Sequence, residues 1–178
     1  MIFEEIINGE KIYLKTLAPE NATQEYCNWL NDPEVNVYLE TRKSTIEEVK
    51  EYIRKQMEDP NSFFVGIFLK ESNKHIGNIK LEPIDWQARR ALIGIIIGDK
   101  AEWGKGYATD AIKVMIQFAF KTLGLIEIEL GVISENAAAI RTYEKVGFVV
   151  DHVEKKAKKH GQKYFDMVVM KMYNSGLN

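Results

Sequence analysis

The chain has a single cysteine in 178 residues, Cys27, so no internal disulfide can form. A lone thiol suits a reducing compartment. Proline is scarce: Pro19, Pro33, Pro60 and Pro83 each fall near the edge of a patterned segment. No Gly/Pro/Ser linker, repeat or low-complexity tract interrupts the chain, so residues 1–178 read as one domain. No apolar run approaches the ~20 residues of a membrane-spanning helix, and no membrane partner is expected. The start, Met1-Ile2-Phe3-Glu4-Glu5, is acidic and lacks the basic and apolar regions of a secretory signal. A cytoplasmic protein is expected. Neither charge sign dominates, with 24 Lys plus Arg against 26 Asp plus Glu. Non-specific phosphate binding needs a basic excess, so nucleic acid is not an expected partner. His75, His152, His160 and Cys27 show no ligand spacing, and no metal is expected.

What is present is an ordinary globular mixture, 46% hydrophobic and 28% charged. It suffices to bury a core without staples. Lys11 to Leu17 alternates and reads as a strand. Pro19 opens a helix to about Asn31, with Ala22, Tyr26, Trp29 and Leu30 as its apolar stripe. Ser44 with Glu47 reads as a capping box before a helix burying Ile46, Val49, Ile53 and Met57. Next come three strands: Phe63–Leu69, Ile76–Pro83 and Ala91–Ile97. The first and third are apolar on both faces. The second puts Gly77, Ile79 and Leu81 on one side, and Asn78, Lys80 and Glu82 on the other. A helix then spans about Tyr107 to Thr122, with apolar residues at the 3.6-residue period. Ile126–Ile133 is a strand and Asn136–Val146 a helix, closed by Gly147 in the left-handed cap position. Phe148–Val153 and Tyr164–Met172 are the last strands, joined by a polar hairpin over Lys158 to Lys163. Three consecutive strands in the middle and a pair at the end predict an α/β (α+β) fold. Its core is a mixed, largely antiparallel sheet of about seven strands flanked by helices.

Two segments carry chemistry. The first is the buried strand through Ile95-Ile96-Ile97, then Gly98 to Gly106, then Tyr107-Ala108-Thr109 at the helix start. Helix N-termini present unpaired N–H groups and a positive dipole end, so they bind anions. Gly104 and Gly106 let the backbone approach a diphosphate without a Cβ between, and Lys105 adds charge. The plain alternative is a helix entry that uses glycines only to turn. A Walker A loop is excluded by the Gly98–Gly104 gap and by Gly106 where Ser or Thr must stand. A Rossmann fingerprint is excluded by the missing third glycine and the late strand. The second segment is Ser134 to Phe148. Asn136 sits where strand gives way to helix and would serve as an N-cap. Tyr143 lies two turns later, where a core aromatic would equally fit.

Together, strand–WGKGYAT–helix and strand–EN(x)6YEKVGF resemble the GNAT superfamily of acetyl-CoA-dependent N-acetyltransferases. The nearest branch is RimJ/RimL-like. The likeness extends to the early strand and helices, the IGNIKL strand and the terminal Gly161, Tyr164 and Asp166. It implies a GNAT-like domain that uses acetyl-CoA as co-substrate and an amine as acceptor. The diphosphate would lie on the N–H groups of Gly104, Lys105, Gly106, Tyr107, Ala108 and Thr109. The pantetheine arm would pair with Ile95 to Ile97, where the family's sheet splays, and Asn136 would contact it. Trp103 stands where the family usually has Gln or Arg and is left out of the site. Tyr143 would protonate the leaving sulfur. Many relatives carry a glutamate where Leu92 stands here, so Glu82 is the substitute general base, against a plain surface pairing with Lys80.

The resemblance also implies that the first helices and their loop, Trp29 to Val35 and Tyr38 to Arg42, shape the acceptor pocket. This stretch and IGNIKL lean to nucleotide-linked amino sugars; Arg42, Lys43, Arg89 and Arg90 are candidate diphosphate ligands, against the plain reading of solvated surface charges. A protein N-terminus, a polyamine, and a non-catalytic acyl-CoA-binding module are the alternatives. A polyamine would need clustered carboxylates; the acidic run Glu47-Glu48 and Glu51 reads as the solvent side of a helix and no more. The oligomeric state is left open, a homodimer included.

Overall fold

The computed structural model describes residues 6–37, 44–160, 163–174 and 176. In chain order the strands are β1 (Ile7–Asn8), β2 (Ile12–Thr16), β3 (Phe63–Leu69), β4 (His75–Asp85), β5 (Arg90–Ile97), β6 (Glu127–Ile133), β7 (Val149–His160) and β8 (Lys163–Tyr173). The helices are α1 (Gln24–Asn31), α2 (Ile46–Glu58), α3 (Tyr107–Lys121) and α4 (Ala137–Val146). The strands form one sheet in the order β1-β2-β3-β4-β5-β6-β8-β7. Every neighbouring pair is antiparallel except β5 and β6. The expected class is observed, with β1 as an additional strand.

Two clusters sandwich the sheet. On one face Phe63, Val65 and Ile67 of β3 and Ile79 and Leu81 of β4 pack under Ala111, Ile112, Met115 and Phe118 of α3. Phe63 stacks on Phe118 with centroids 4.7 Å apart. On the other face Phe64, Phe68 and Ile96 meet Tyr26 and Trp29 of α1 and Val49 and Ile53 of α2. Strand alternation produces this split, since successive side chains point to opposite faces. Each fully buried Ile, Leu or Phe contributes about 1.5–3 kcal/mol.

Three local expectations differ. Pro19–Asn21 is only a 3-10 turn, and α1 begins afterwards, capped by Thr23, whose side chain accepts from Tyr26 N. The capping box is Thr45 with Glu48, one residue later than Ser44 with Glu47. The Ser-Thr and Glu-Glu doublets fit either register, but the Ser44 N–H is taken by Asn31 Oδ1 at 2.7 Å. The final hairpin is longer than expected. Lys158 and Lys159 stay in β7 and pair across to Phe165 and Tyr164. Their charge hid a strand whose partners are aromatic, with Lys159 Nζ 5.3 Å from the Tyr164 ring centroid. Gly161, Tyr38 to Arg42, and Lys43 lie outside the described residues.

Candidate active site

β5 and β6 start as a parallel pair and then part. Their ladder holds only Arg90–Glu127, Ala91–Ile128 and Leu92–Glu129. Beyond Leu92, β5 stays paired to β4 through Ile97, and β6 stays paired to β8 through Ile133. The result is a V that opens toward the C-terminal ends of both strands. Antiparallel strands bond to a given neighbour through alternate residues. Gly98 N donates to Ile76 O at 2.9 Å, and a Cβ on Gly77 would run into the Ile96 carbonyl. The even-numbered backbone groups therefore face β4, and those of Ile93, Ile95 and Ile97 face the V. The Ile95 and Ile97 side chains pack against the α3–α4 core.

The loop after β5 sits at the mouth. Its first part bonds to itself: Asp99 Oδ1 accepts from Ala101 N, Glu102 N donates to Asp99 O, and Trp103 N donates to Lys100 O. The next part does not. Among the described residues no group accepts from the N–H of Gly104, Lys105, Gly106, Tyr107, Ala108 or Thr109. Gly106 caps α3 at φ 86° and Gly104 has φ 74°, both in the left-handed region that favours glycine. Space for a Cβ at either position is open. Lys105 Nζ bonds Glu102 Oε2 at 2.8 Å, and this pairing holds its pKa above the usual lysine value. Six adjacent free donors at a helix start suit a multiply charged anion.

Two residues that sequence reasoning passed over hold this mouth in place. Asp110, in the first turn of α3, accepts from Glu10 N, Lys11 N and Ile12 N at 3.0, 2.7 and 3.2 Å, tying the helix start to the β1–β2 turn. Trp103 Nε1 donates to Ile97 O at 2.7 Å. It engages the carbonyl half of Ile97, a backbone group assigned to the pantetheine arm, and leaves the N–H half to the V. An indole N–H at this point is itself a readable signal, because it is a donor.

The other wall of the V leads into α4. Asn136 is its N-cap, with Oδ1 accepting from Ala139 N at 3.2 Å, as the plain reading of that residue held. Tyr143 is 7% exposed in the core cluster shared with α3. The Y-E-K-V-G-F run explains how it is fixed. Gly147, at φ 114°, ends α4, and both Gly147 N and Phe148 N donate to Tyr143 O. Phe148 then packs on the Tyr143 ring at 5.6 Å, the apolar contact that accompanies such a cap. Burial pushes the phenol up to about 12. Ordinary phenol and thiol values, ~10 and ~8.5, are close; burial widens the gap, and Tyr143 is a firm hydrogen-bond donor that releases its proton reluctantly.

Glu82, on β4, lies on the opposite face of the sheet, under α2. Lys80 Nζ bonds Glu82 Oε2, Gln56 Nε2 donates to Glu82 Oε1 at 3.0 Å, and Lys80 Nζ donates to the Tyr52 hydroxyl at 3.2 Å. Partial burial opposes its charge, yet the Lys80 and Gln56 bonds outweigh that and hold the carboxyl below its ordinary value. Leu92 lies on this face, 41% exposed. Beside it a concavity is lined by Pro83, Asp85, Arg90, Glu127 and Glu129. A second, around Tyr52, is lined by Glu47, Glu48, Glu51 and Lys55. Arg89 Nε is engaged by Gly124 O at 2.7 Å, and Arg90 Nε stands 3.7 Å from Asp85. Cys27 is buried and bonds Ser44 O. Among the described residues no group of three His, Cys, Asp or Glu stands close enough to hold a metal ion, and no helix is long and apolar enough to cross a membrane.

Residues 11–149 match the acetyltransferase (GNAT) domain family. The uncharacterized N-acetyltransferase p20 of Bacillus licheniformis is 29% identical over 164 residues, covering 86% of this chain and 90% of that protein. The probable N-acetyltransferase YjcK of Bacillus subtilis is 31% identical over 137 residues, covering 76% and 73%. Among solved structures, the spermidine N-acetyltransferase of Vibrio cholerae in complex with CoA and spermine superposes with a TM-score of 0.85 at 25% identity, over 93% of this chain and 96% of that one. A V-shaped break in a mixed sheet, a bare helix start at its mouth and these likenesses agree: the chain belongs to the GNAT acetyltransferase family and is an acyltransferase.

Proposed function

We propose that the protein transfers an acetyl group from acetyl-CoA directly to a primary amine of a small cationic molecule. The observation that carries this reading is the open half of β5 running into six unpartnered N–H groups. The pantetheine arm pairs with Ile95 and with the Ile97 N–H as a further strand would, its amides replacing ladder partners. The diphosphate takes the N–H groups of Gly104 to Thr109. Asn136, at the start of α4, faces the arm from the other wall.

The amine approaches from the face of Glu82. Its nitrogen, once neutral, attacks the thioester carbonyl. A C–N bond forms, the C–S bond breaks, and the oxyanion is held meanwhile by a backbone N–H in the open half of β5. Glu82, kept ionised by Lys80, receives the amine's proton directly or through water. Tyr143 donates to the departing sulfur as thiolate charge develops. These steps require no metal.

Charge favours a cationic acceptor over a sugar nucleotide. Each concavity on the Glu82 face is lined by three carboxylates and one cation, although Lys171 also pairs with Glu127 and Glu129, and Arg54 with Glu51. Of the described candidates for a sugar diphosphate, Arg89 is bonded to Gly124 O, and Arg90 stands beside Asp85 in the first of these concavities. The Escherichia coli spermidine N(1)-acetyltransferase is 40% identical over 75 residues, 42% of this chain and 40% of that protein. The test is thiol release from acetyl-CoA with a panel of polyamines, amino sugars, sugar nucleotides and N-terminal peptides. Turnover with di- or polyamines at least tenfold above the rest is expected. Best turnover with a sugar nucleotide or a peptide overturns the acceptor. Coenzyme binding without thiol release from any amine overturns catalysis.

A further inference from the structure

We infer that Trp103 is a positioning residue that sets the spacing between the two halves of the coenzyme site, a reading that rests on the function proposed above. Its place is unusual. The indole is 45% exposed, so burial does not account for a tryptophan here. Its N–H nevertheless makes a 2.7 Å bond to Ile97 O, at the last residue of the open half of β5. Its own backbone ends the self-bonded part of the loop, through Trp103 N to Lys100 O. The next residue begins the run of free N–H groups. Trp103 is therefore the joint between the strand edge that pairs with a pantetheine arm and the donors that take a diphosphate.

The joint needs a tether because the Gly104–Gly106 segment beyond it is soft. Both glycines take positive φ, and glycine is the residue with most backbone freedom to lose. On the helix side Asp110 fixes the start of α3 to the β1–β2 turn. On the strand side the indole bond does the corresponding work. A ligand that engages both halves at once gains from their fixed separation, because the second contact becomes intramolecular. A ligand that engages only one half gains nothing from it. This separates a spacing role from a simple covering role.

The experiment compares wild type with Trp103→Phe, which keeps a ring and loses the donor. Calorimetry or competition would measure binding of coenzyme A and of ADP, which carries the diphosphate and no pantetheine arm. Coenzyme A should bind about tenfold more weakly in the variant, the acetyl-CoA KM should rise in step, and kcat at saturation should stay within twofold. ADP affinity should be unchanged, which also certifies that the loop is still folded. Unchanged coenzyme A affinity overturns the inference. So does an equal loss for ADP, which would make Trp103 part of the anion site. Wild type that binds no coenzyme A at all would defeat the functional reading itself, a different result from either.

Discussion

The two faces of the sheet are built on different principles. The α3–α4 face is mostly aliphatic, with the Phe63–Phe118 and Tyr143–Phe148 pairs among its apolar residues, and it ends at the V in bare backbone donors. The α1–α2 face is aromatic and polar. His75 lies against Tyr26, Trp29 and Phe68, with Nε2 2.9 Å from Asn78 Oδ1, and Lys80, Tyr52, Glu82, Gln56 and Ser62 form a bonded row. The first face offers main-chain groups, which any residue can supply where the backbone is right. The second offers specific side chains. On the function proposed above, recognition of a common cofactor and of a particular amine would fall on opposite sides of one strand, β5, and substitutions on the two sides should separate the two properties.

The largest separation is expected at Gly106. Valine there would be forced to φ near 86°, where a β-branched residue is strained, and its side chain would fill the open space in front of the free N–H groups. Gly106→Val should lower coenzyme affinity at least 100-fold by calorimetry, while far-UV circular dichroism stays that of a folded domain. Unchanged affinity would remove the loop from the site. Tyr143→Phe comes next. It keeps the ring packed on Phe148 and removes only the hydroxyl, so turnover should fall by about 10²-fold with coenzyme affinity nearly constant. Equal turnover would leave Tyr143 with a packing role alone.

The same contrast explains what is legible in the sequence. The aliphatic face repeats simple periods, so β3, β5 and α3 are readable from alternation and from the 3.6-residue stripe. The Gly147 cap is equally plain, because a helix stop and its αL residue are local. The splay is not local. Nothing in Arg90 to Ile97 says that pairing to β6 stops after Leu92, and only the GNAT likeness points there. Trp103 lacks the Gln or Arg group that the likeness calls for, yet an indole N–H is polar and finds its own acceptor. Asp110 joins residues about 100 positions apart in sequence, beyond the reach of any spacing rule. On the polar face alternation alone puts Glu82 beside Lys80, so their ion pair is foreseeable. Gln56 and Tyr52 come from a different element, and the rest of the row is not.

The smallest effect, and the one that sharpens the polar face, concerns Glu82. Its carboxyl is held below the ordinary value. A depressed carboxyl contributes stability above the unfolded value, about 4.3, and loses it as pH falls through the folded one. Glu82 is then ionised throughout the neutral range, and any activity limb near neutral or alkaline pH belongs to the acceptor amine, which must lose its proton to attack. Glu82→Gln should therefore lower kcat/KM by about tenfold, within the lower range of general-base effects, at every pH from 6 to 9. The limb set by the amine should persist unchanged in shape, and any limb near or below pH 4.5 should flatten. A variant that instead loses the neutral limb would mean that Glu82 titrates there, which its bond to Lys80 forbids, and the row on this face would have to be rearranged when coenzyme and amine are bound.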